Sequence, residues 1–160
     1  MDKGVGRIFE GLWERRMDVG LLVLRVGFGL TFTYFHGWRK LVGGPETWTN
    51  YGDVMEHLGI NFGHTVFGFL AAFSESIGGI LIALGLFFRP MCLLLGFTMF
   101  MAAFSHFASG RGNPAHAMKN FFVLMGVFIV GPGKYSIDAV LASWWRNRHK
   151  VNPAPEKTPR

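Results

Sequence analysis

Residues 90–107 contain no Asp, Glu, Lys or Arg. That run matches the roughly 18–20 residues a helix needs to cross a hydrocarbon core. A helix on the surface of a soluble bundle repeats polar residues on its outward face, and this run offers no charge to place there. Three further stretches follow the same pattern: 18–35, interrupted by Arg25; 62–88, interrupted by His64 and Glu75; and the shorter 115–130, which carries His116 and Lys119 near its start. Gly-Pro-Gly at 131–133 stops the last one, since Pro132 has no backbone N–H to donate. The expected fold is all-α, an integral membrane four-helix bundle.

Composition removes the competing classes. Charged residues are 16% of the 160-residue chain, against about 25% in soluble domains. The 22 glycines follow no collagen period, and 17 Phe with 50% hydrophobic residues exclude a disordered chain. One cysteine, Cys92, excludes a disulfide within the chain and any C-x-x-C redox or zinc motif. A net charge of +6 would raise nucleic-acid binding on a soluble basic face. Here the basic residues flank the apolar stretches instead, so no nucleic-acid partner is expected.

Those flanks set the expected orientation. The N-terminal flank, the Arg89 turn and the C-terminal flank hold eleven Lys and Arg, while the other side holds Arg39, Lys40 and Arg111. The positive-inside bias then puts both termini in the cytoplasm of a cell membrane, with an uncleaved first helix. Residues 1–17 read as a basic cytoplasmic flank, 18–140 as the transmembrane domain and 141–160 as a basic tail, Pro-rich and disordered from Asn152. The 37–61 loop is long enough for a short interfacial helix, with Trp38, Trp48 and Tyr51 suited to the headgroup boundary. Short turns at 89–90 and 109–114 make the second, third and fourth stretches antiparallel neighbours.

Ionisable groups inside a span cost at least about 2.5–3.5 kcal/mol at mid-helix and so face a partner or a cavity. Eleven residues is about three turns, which puts Arg25 and His36 on one face with Gly29 and Phe32. Glu75 shares its face with His64, Gly68, Ala71, Ala72, Gly78 and Gly79, small residues that allow close helix approach. His116, Lys119, Val123 and Gly126 make a stripe on the fourth stretch, and Met99, Ala102, Ala103 and His106 one on the third. Depths of roughly 10 Å for Arg25 and roughly 20 Å for Glu75 predict a pair between them. His36, His64, His106 and His116 are expected together at the outer boundary. With no H-x-x-x-H or E-x-x-H, that gathering points only weakly to a metal or haem site, and no metal ligands are assigned. A quinone fits better: it needs an apolar slot open to lipid, with proton donors and acceptors at its carbonyls.

Three motifs then bring in a resemblance. His-Gly-Trp-Arg-Lys-Leu at 36–41 resembles the H-G-x-x-K-L signature of the DoxX family of small four-helix membrane proteins. The 75–90 run, a Glu followed by Gly-Gly and then Gly-x-x-x-Arg, is similar to that family's second helix, and Gly-Pro-Gly-Lys-Tyr-Ser-Ile-Asp at 131–138 resembles its closing motif. The resemblance covers roughly residues 18–140 and implies the four-helix fold. Arg25, His36, Lys40, Glu75, Arg89 and Asp138 match as motif residues. Some members resemble quinone-reducing thiosulfate oxidoreductases, and others are linked to membrane complexes of oxidative and thiol stress.

The expected function is therefore a membrane-embedded, redox-associated protein, a quinone-interacting subunit or accessory of an oxidoreductase system. His36, Glu75 and Arg25 are the candidate catalytic residues: donor, buried proton acceptor and charge partner. Arg39, Lys119 and His106 are the candidate supporting groups for the quinone. The expected partners are the bilayer, a soluble redox partner at the cytoplasmic face and a second copy. A non-catalytic scaffold and a small proton-coupled transporter are the alternatives. The closing motif is read as architecture, with Ser136 or Asp138 capping the helix after it.

Overall fold

The computed structural model describes residues 3–151, with side chains from 13 to 148. The expected disorder from Asn152 onward falls outside the described residues. All regular structure in them is helical: α1 (Lys3–Phe32), a π-helical turn (Thr33–Gly37), α2 (Trp38–Val42), α3 (Gly44–Gly52), a 3-10 turn (Asp53–Leu58), α4 (His64–Leu84), α5 (Phe88–Ser109), α6 (Ala115–Val130) and α7 (Ile137–Val151). The helix that starts the first span (from Trp13), together with α4 and α5, is long and apolar enough to cross a membrane; α6 is apolar but shorter. α1 runs unbroken through the expected boundary at 17/18, and α7 through the one at 140/141.

Two surfaces account for the bundle. Inside, Phe32, Ile82, Phe88, Cys92, Leu95, Met99 and Leu124 form one packed cluster. Outside, Leu30, Phe35, Val66, Ile80, Leu93, Phe97, Phe122 and Ile129 are exposed. So large an apolar surface is an aggregation hazard in water and the normal condition of a chain solvated by lipid.

The first crossing runs as one helical stretch from Trp13 to Val42 with a π turn inside it. Gly29 meets the backbone of Gly79, and Thr33 Oγ1 donates to Gly29 O (3.0 Å) and Ser76 O (2.9 Å). The π turn then carries Gly37 onto the backbone of Glu75 and Ser76, where a Cβ would overlap main-chain atoms. Single π turns of this kind recur at functional sites. The chain does not leave α4 there: α3 continues along the first half of α4, with Gly68 against the Trp48 backbone, Gly52 against His64, and Thr49 Oγ1 bonded to Thr65 Oγ1 (2.7 Å). The helix expected in the 37–61 loop therefore forms, but it packs as a continuation of the first crossing.

The opposite end is closed by the 131–138 motif. α4 ends in a Schellman arrangement, Gly85 N to Ile82 O and Leu86 N to Leu81 O, with Gly85 at φ +67°. Asp138 then accepts from Phe87 N (3.0 Å) and Phe88 N (2.9 Å), capping α5 across 50 residues of chain, and its own N–H donates to Gly85 O (2.9 Å). Arg25 donates to the carbonyls of Pro132 (3.0 Å) and Tyr135, and Lys134 N donates to Asp18 (2.9 Å). Ser136 caps α7 through Ala139 N (3.1 Å), as expected; Asp138 caps α5 rather than α7, because its carboxylate faces the two free N–H groups that start α5.

Candidate functional site

Glu75 lies on the small-residue face of α4 and is 1% exposed. Its partner is Lys40, with Nζ 2.7 Å from Oε1. This corrects the expected Arg25–Glu75 pair. Arg25 is buried beside Gly85, ten residues further along α4, which is about 15 Å of rise. Its guanidinium is spent on the carbonyls of the closing motif. Lys40 takes its place because the π turn seats Gly37 on Glu75, and one further turn of α2 brings the ammonium over the carboxylate.

The pair forms the polar floor of a cavity of about 180 Å³ between the 51–55 segment, α4 and α5. Its walls are apolar, including Met55, Phe67, Leu94 and Met101, with Tyr51 and Thr98 adding hydroxyls. Lys40 Nζ sits 4.4 Å from the Tyr51 ring centroid, a cation–π contact. Leu70 and Phe97, both exposed, border the cavity on the lipid-facing side. Glu75 Oε2 is buried and has no hydrogen-bond partner. A carboxylate in that condition can accept from a ligand or hold a proton.

His36 lies on the other side of Glu75. Its Nδ1 is likewise buried without a partner; its ring stacks on Phe32 (5.2 Å between centroids) and on His116 (5.5 Å, 18° between planes). Glu75, His116 and Lys40 are its ionisable neighbours. His36 therefore stands near the level of Glu75, about 16 Å of helix beyond Arg25.

The other expected groups do not converge. His106 Nδ1 donates to the carbonyl of Arg111 (2.9 Å), closing its own turn. Arg39 and Lys119 are exposed. The inward face of α6 is Ala117, Asn120 and Leu124, rather than the His116, Lys119, Val123 and Gly126 stripe, since a helix this apolar shows no clear polar side from which to read its rotation. Among the four histidines, His36 and His116 present ring faces to each other, while His64 Nδ1 contacts Asp53 (2.9 Å). Asp53, Glu56 and His64 do bring three potential ligand atoms within 4.8 Å, although both carboxylates are exposed. Lys40 and Tyr51 are the site residues that spacing alone misses. The only signal for Lys40 is its place in the 36–41 motif.

A sequence model of the DoxX family matches residues 20–108. That stretch holds Arg25, His36, Lys40 and Glu75 and stops before α6. The inner membrane protein YqjF of Escherichia coli (strain K12) is 35% identical over 137 residues, covering 80% of this chain and 96% of that protein. No solved structure matches. The chain is a membrane protein and belongs to the DoxX family.

Proposed function

We propose that this protein takes a quinone head group into the cavity floored by Lys40 and Glu75, as a subunit or accessory of an oxidoreductase system in the cell membrane, with both termini cytoplasmic. The observation that carries this reading is that Glu75, which lines an apolar cavity together with Lys40, has a buried Oε2 without a hydrogen-bond partner. A quinone ring needs apolar walls, its carbonyls need donors, and its reduction takes up a proton at each carbonyl oxygen. Lys40 donates to one carbonyl, Glu75 holds the proton, and Tyr51 closes over the ring. Arg25, in this reading, holds the bundle end and has no part in the chemistry. About 180 Å³ is below the roughly 300–1,000 Å³ of sites for drug-sized ligands. It suits one ring, with the tail leaving past Leu70 and Phe97 into lipid. A redox partner in the same system supplies the electrons.

The test is titration of the detergent-purified protein with a short-tailed quinone, read by quenching of its tryptophan and tyrosine fluorescence. Saturable binding is expected, weakened roughly tenfold or more in Glu75→Gln, the effect of losing a charge-assisted hydrogen bond. No saturation, or equal affinity in the variant, rejects the reading. One observation favours a scaffold instead: α7 leaves Val140, Leu141 and Trp144 exposed, with Arg148 stacked 4.1 Å over Trp144. If recruiting a soluble partner is the main role, truncation after Trp145 abolishes recovery of that partner while Glu75→Gln keeps it.

A further inference from the structure

We propose that α7 is a lipid-binding element: its apolar face enters the bilayer surface at the 131–138 end of the bundle, and Arg146 and Arg148 bind the phosphates of anionic lipid headgroups. The proposal stands apart from the cavity and from whatever ligand fills it.

Every residue of α7 from Val140 to Arg148 is exposed, whereas α4, α5 and α6 each bury a face in the bundle. α7 has 15 residues, and isolated helices of about that length are marginal in water. Its stability calls for a surface to bind. At about 100° per residue, Ile137, Val140, Leu141 and Trp144 fall on one face, all exposed, with Ser143 and Arg146 on the opposite one. Residues 139–151 contain no Asp or Glu, and Asp138 is committed to the N–H groups of Phe87 and Phe88. A helix with an aliphatic and aromatic face and a basic polar face is the kind that lies in a headgroup layer.

Its position agrees. The Asp138 cap holds the start of α7 level with the start of α5, and the 22 residues of α5, about 33 Å, match the ~30 Å of a hydrocarbon core. α7 therefore begins at the hydrocarbon boundary. Arg89, Lys134 and Tyr135 are exposed beside it, so the bundle already meets headgroups there with cations and an aromatic ring. The apolar face of α7 continues that lipid-facing surface.

Arg148 decides between occupants. It falls in the middle of the apolar face, with its guanidinium 4.1 Å over the Trp144 ring. A soluble partner that covered this face with apolar groups would bury that charge. In a headgroup layer the indole lies at the boundary and the guanidinium reaches a phosphate. The α7 of a second copy offers no free carboxylate in its place, because its one acid, Asp138, caps α5. Lipids of net negative charge are favoured, since no acid on α7 offsets Arg146 and Arg148.

The test is amide hydrogen exchange of the full-length protein in vesicles, read by mass spectrometry over residues 139–148, in phosphatidylcholine alone and with about a third phosphatidylglycerol. Exchange in α7 is expected to be roughly tenfold or more slower in the anionic vesicles, since each basic residue near such a surface contributes about fivefold. Raising the salt should shrink the difference. Arg146→Gln combined with Arg148→Gln removes most of it, and Leu141→Ser combined with Trp144→Ser speeds exchange in both kinds of vesicle. Exchange in α4 stays at the parent rate in each variant, the sign of an intact bundle. Equal exchange in the two vesicles overturns the proposal. So does fast exchange in both, which leaves α7 in water for a soluble partner, and so does protection that fades as the protein is diluted in the bilayer, which means contact with a second copy.

Discussion

Two places in this bundle hold buried or half-buried charge, and they use it differently. At the 131–138 end, Arg25, Asp18 and Asp138 each bind backbone groups: carbonyls of Pro132 and Tyr135, and the N–H groups of Lys134, Phe87 and Phe88. Charge there does what a helix cap does, satisfying main-chain atoms that lipid cannot. Halfway along α4, Lys40 and Glu75 bind each other instead, and Glu75 keeps an oxygen free beside a cavity. No backbone group needs that pair. The first arrangement fixes the chain, whereas the second keeps reactive atoms available, so substitutions at the two places should separate stability from ligand binding.

The largest effect is expected at the pair. Lys40→Met leaves Glu75 buried without its cation, and breaking one side of a buried ion pair costs roughly 3–5 kcal/mol. Replacing both residues, Lys40→Met with Glu75→Leu, should recover most of that loss, because no orphaned charge remains. The double variant binds no quinone. Thermal loss of helical circular dichroism in detergent gives the first result and the fluorescence titration the second. A double variant as unstable as the single one would mean that the pair holds the bundle together, and the contrast would vanish.

At the closing motif the effect is smaller and of the opposite kind. Asp138→Ala frees two N–H groups at the start of α5, a loss of about 1–3 kcal/mol for a cap with charge-assisted bonds. The melting temperature falls, while quinone affinity in the protein that remains folded is unchanged. Reduced affinity at full folding would tie the motif to the cavity.

What could be read from the sequence divides along the same line. The spans, the small face of α4 and the Arg25, Gly29 and Phe32 face of α1 follow from length and helical period, which residue type sets locally. Gly29, Phe32, Gly68, Ala72 and Gly79 are buried as that period requires. The partner of Glu75 could not be read this way. Gly37, Arg39 and Lys40 interrupt the apolar run, so the first crossing looks finished at residue 35, while backbone contact with α4 carries it on. The π turn also adds a residue that a 3.6-residue period does not count. The expected gathering of histidines took His36 as the end of the first span, whereas the helix runs on past it through the π turn into α2.

The smallest expected effects fall on Arg39→Ala and Lys119→Ala, and they sharpen the contrast because both residues sit close in sequence to groups that matter. Arg39 precedes Lys40, and Lys119 precedes the buried Asn120, yet both side chains are exposed. A helix turns about 100° per residue, so the neighbour of an inward residue faces outward. Substitutions at exposed positions without such features change stability by about 0.5 kcal/mol or less. Melting temperature and quinone affinity should both stay at the parent values. A lowered affinity in Arg39→Ala would instead mean that α2 rotates when ligand enters, bringing Arg39 toward the cavity in place of Lys40, and the Lys40–Glu75 pair would then describe only the empty state.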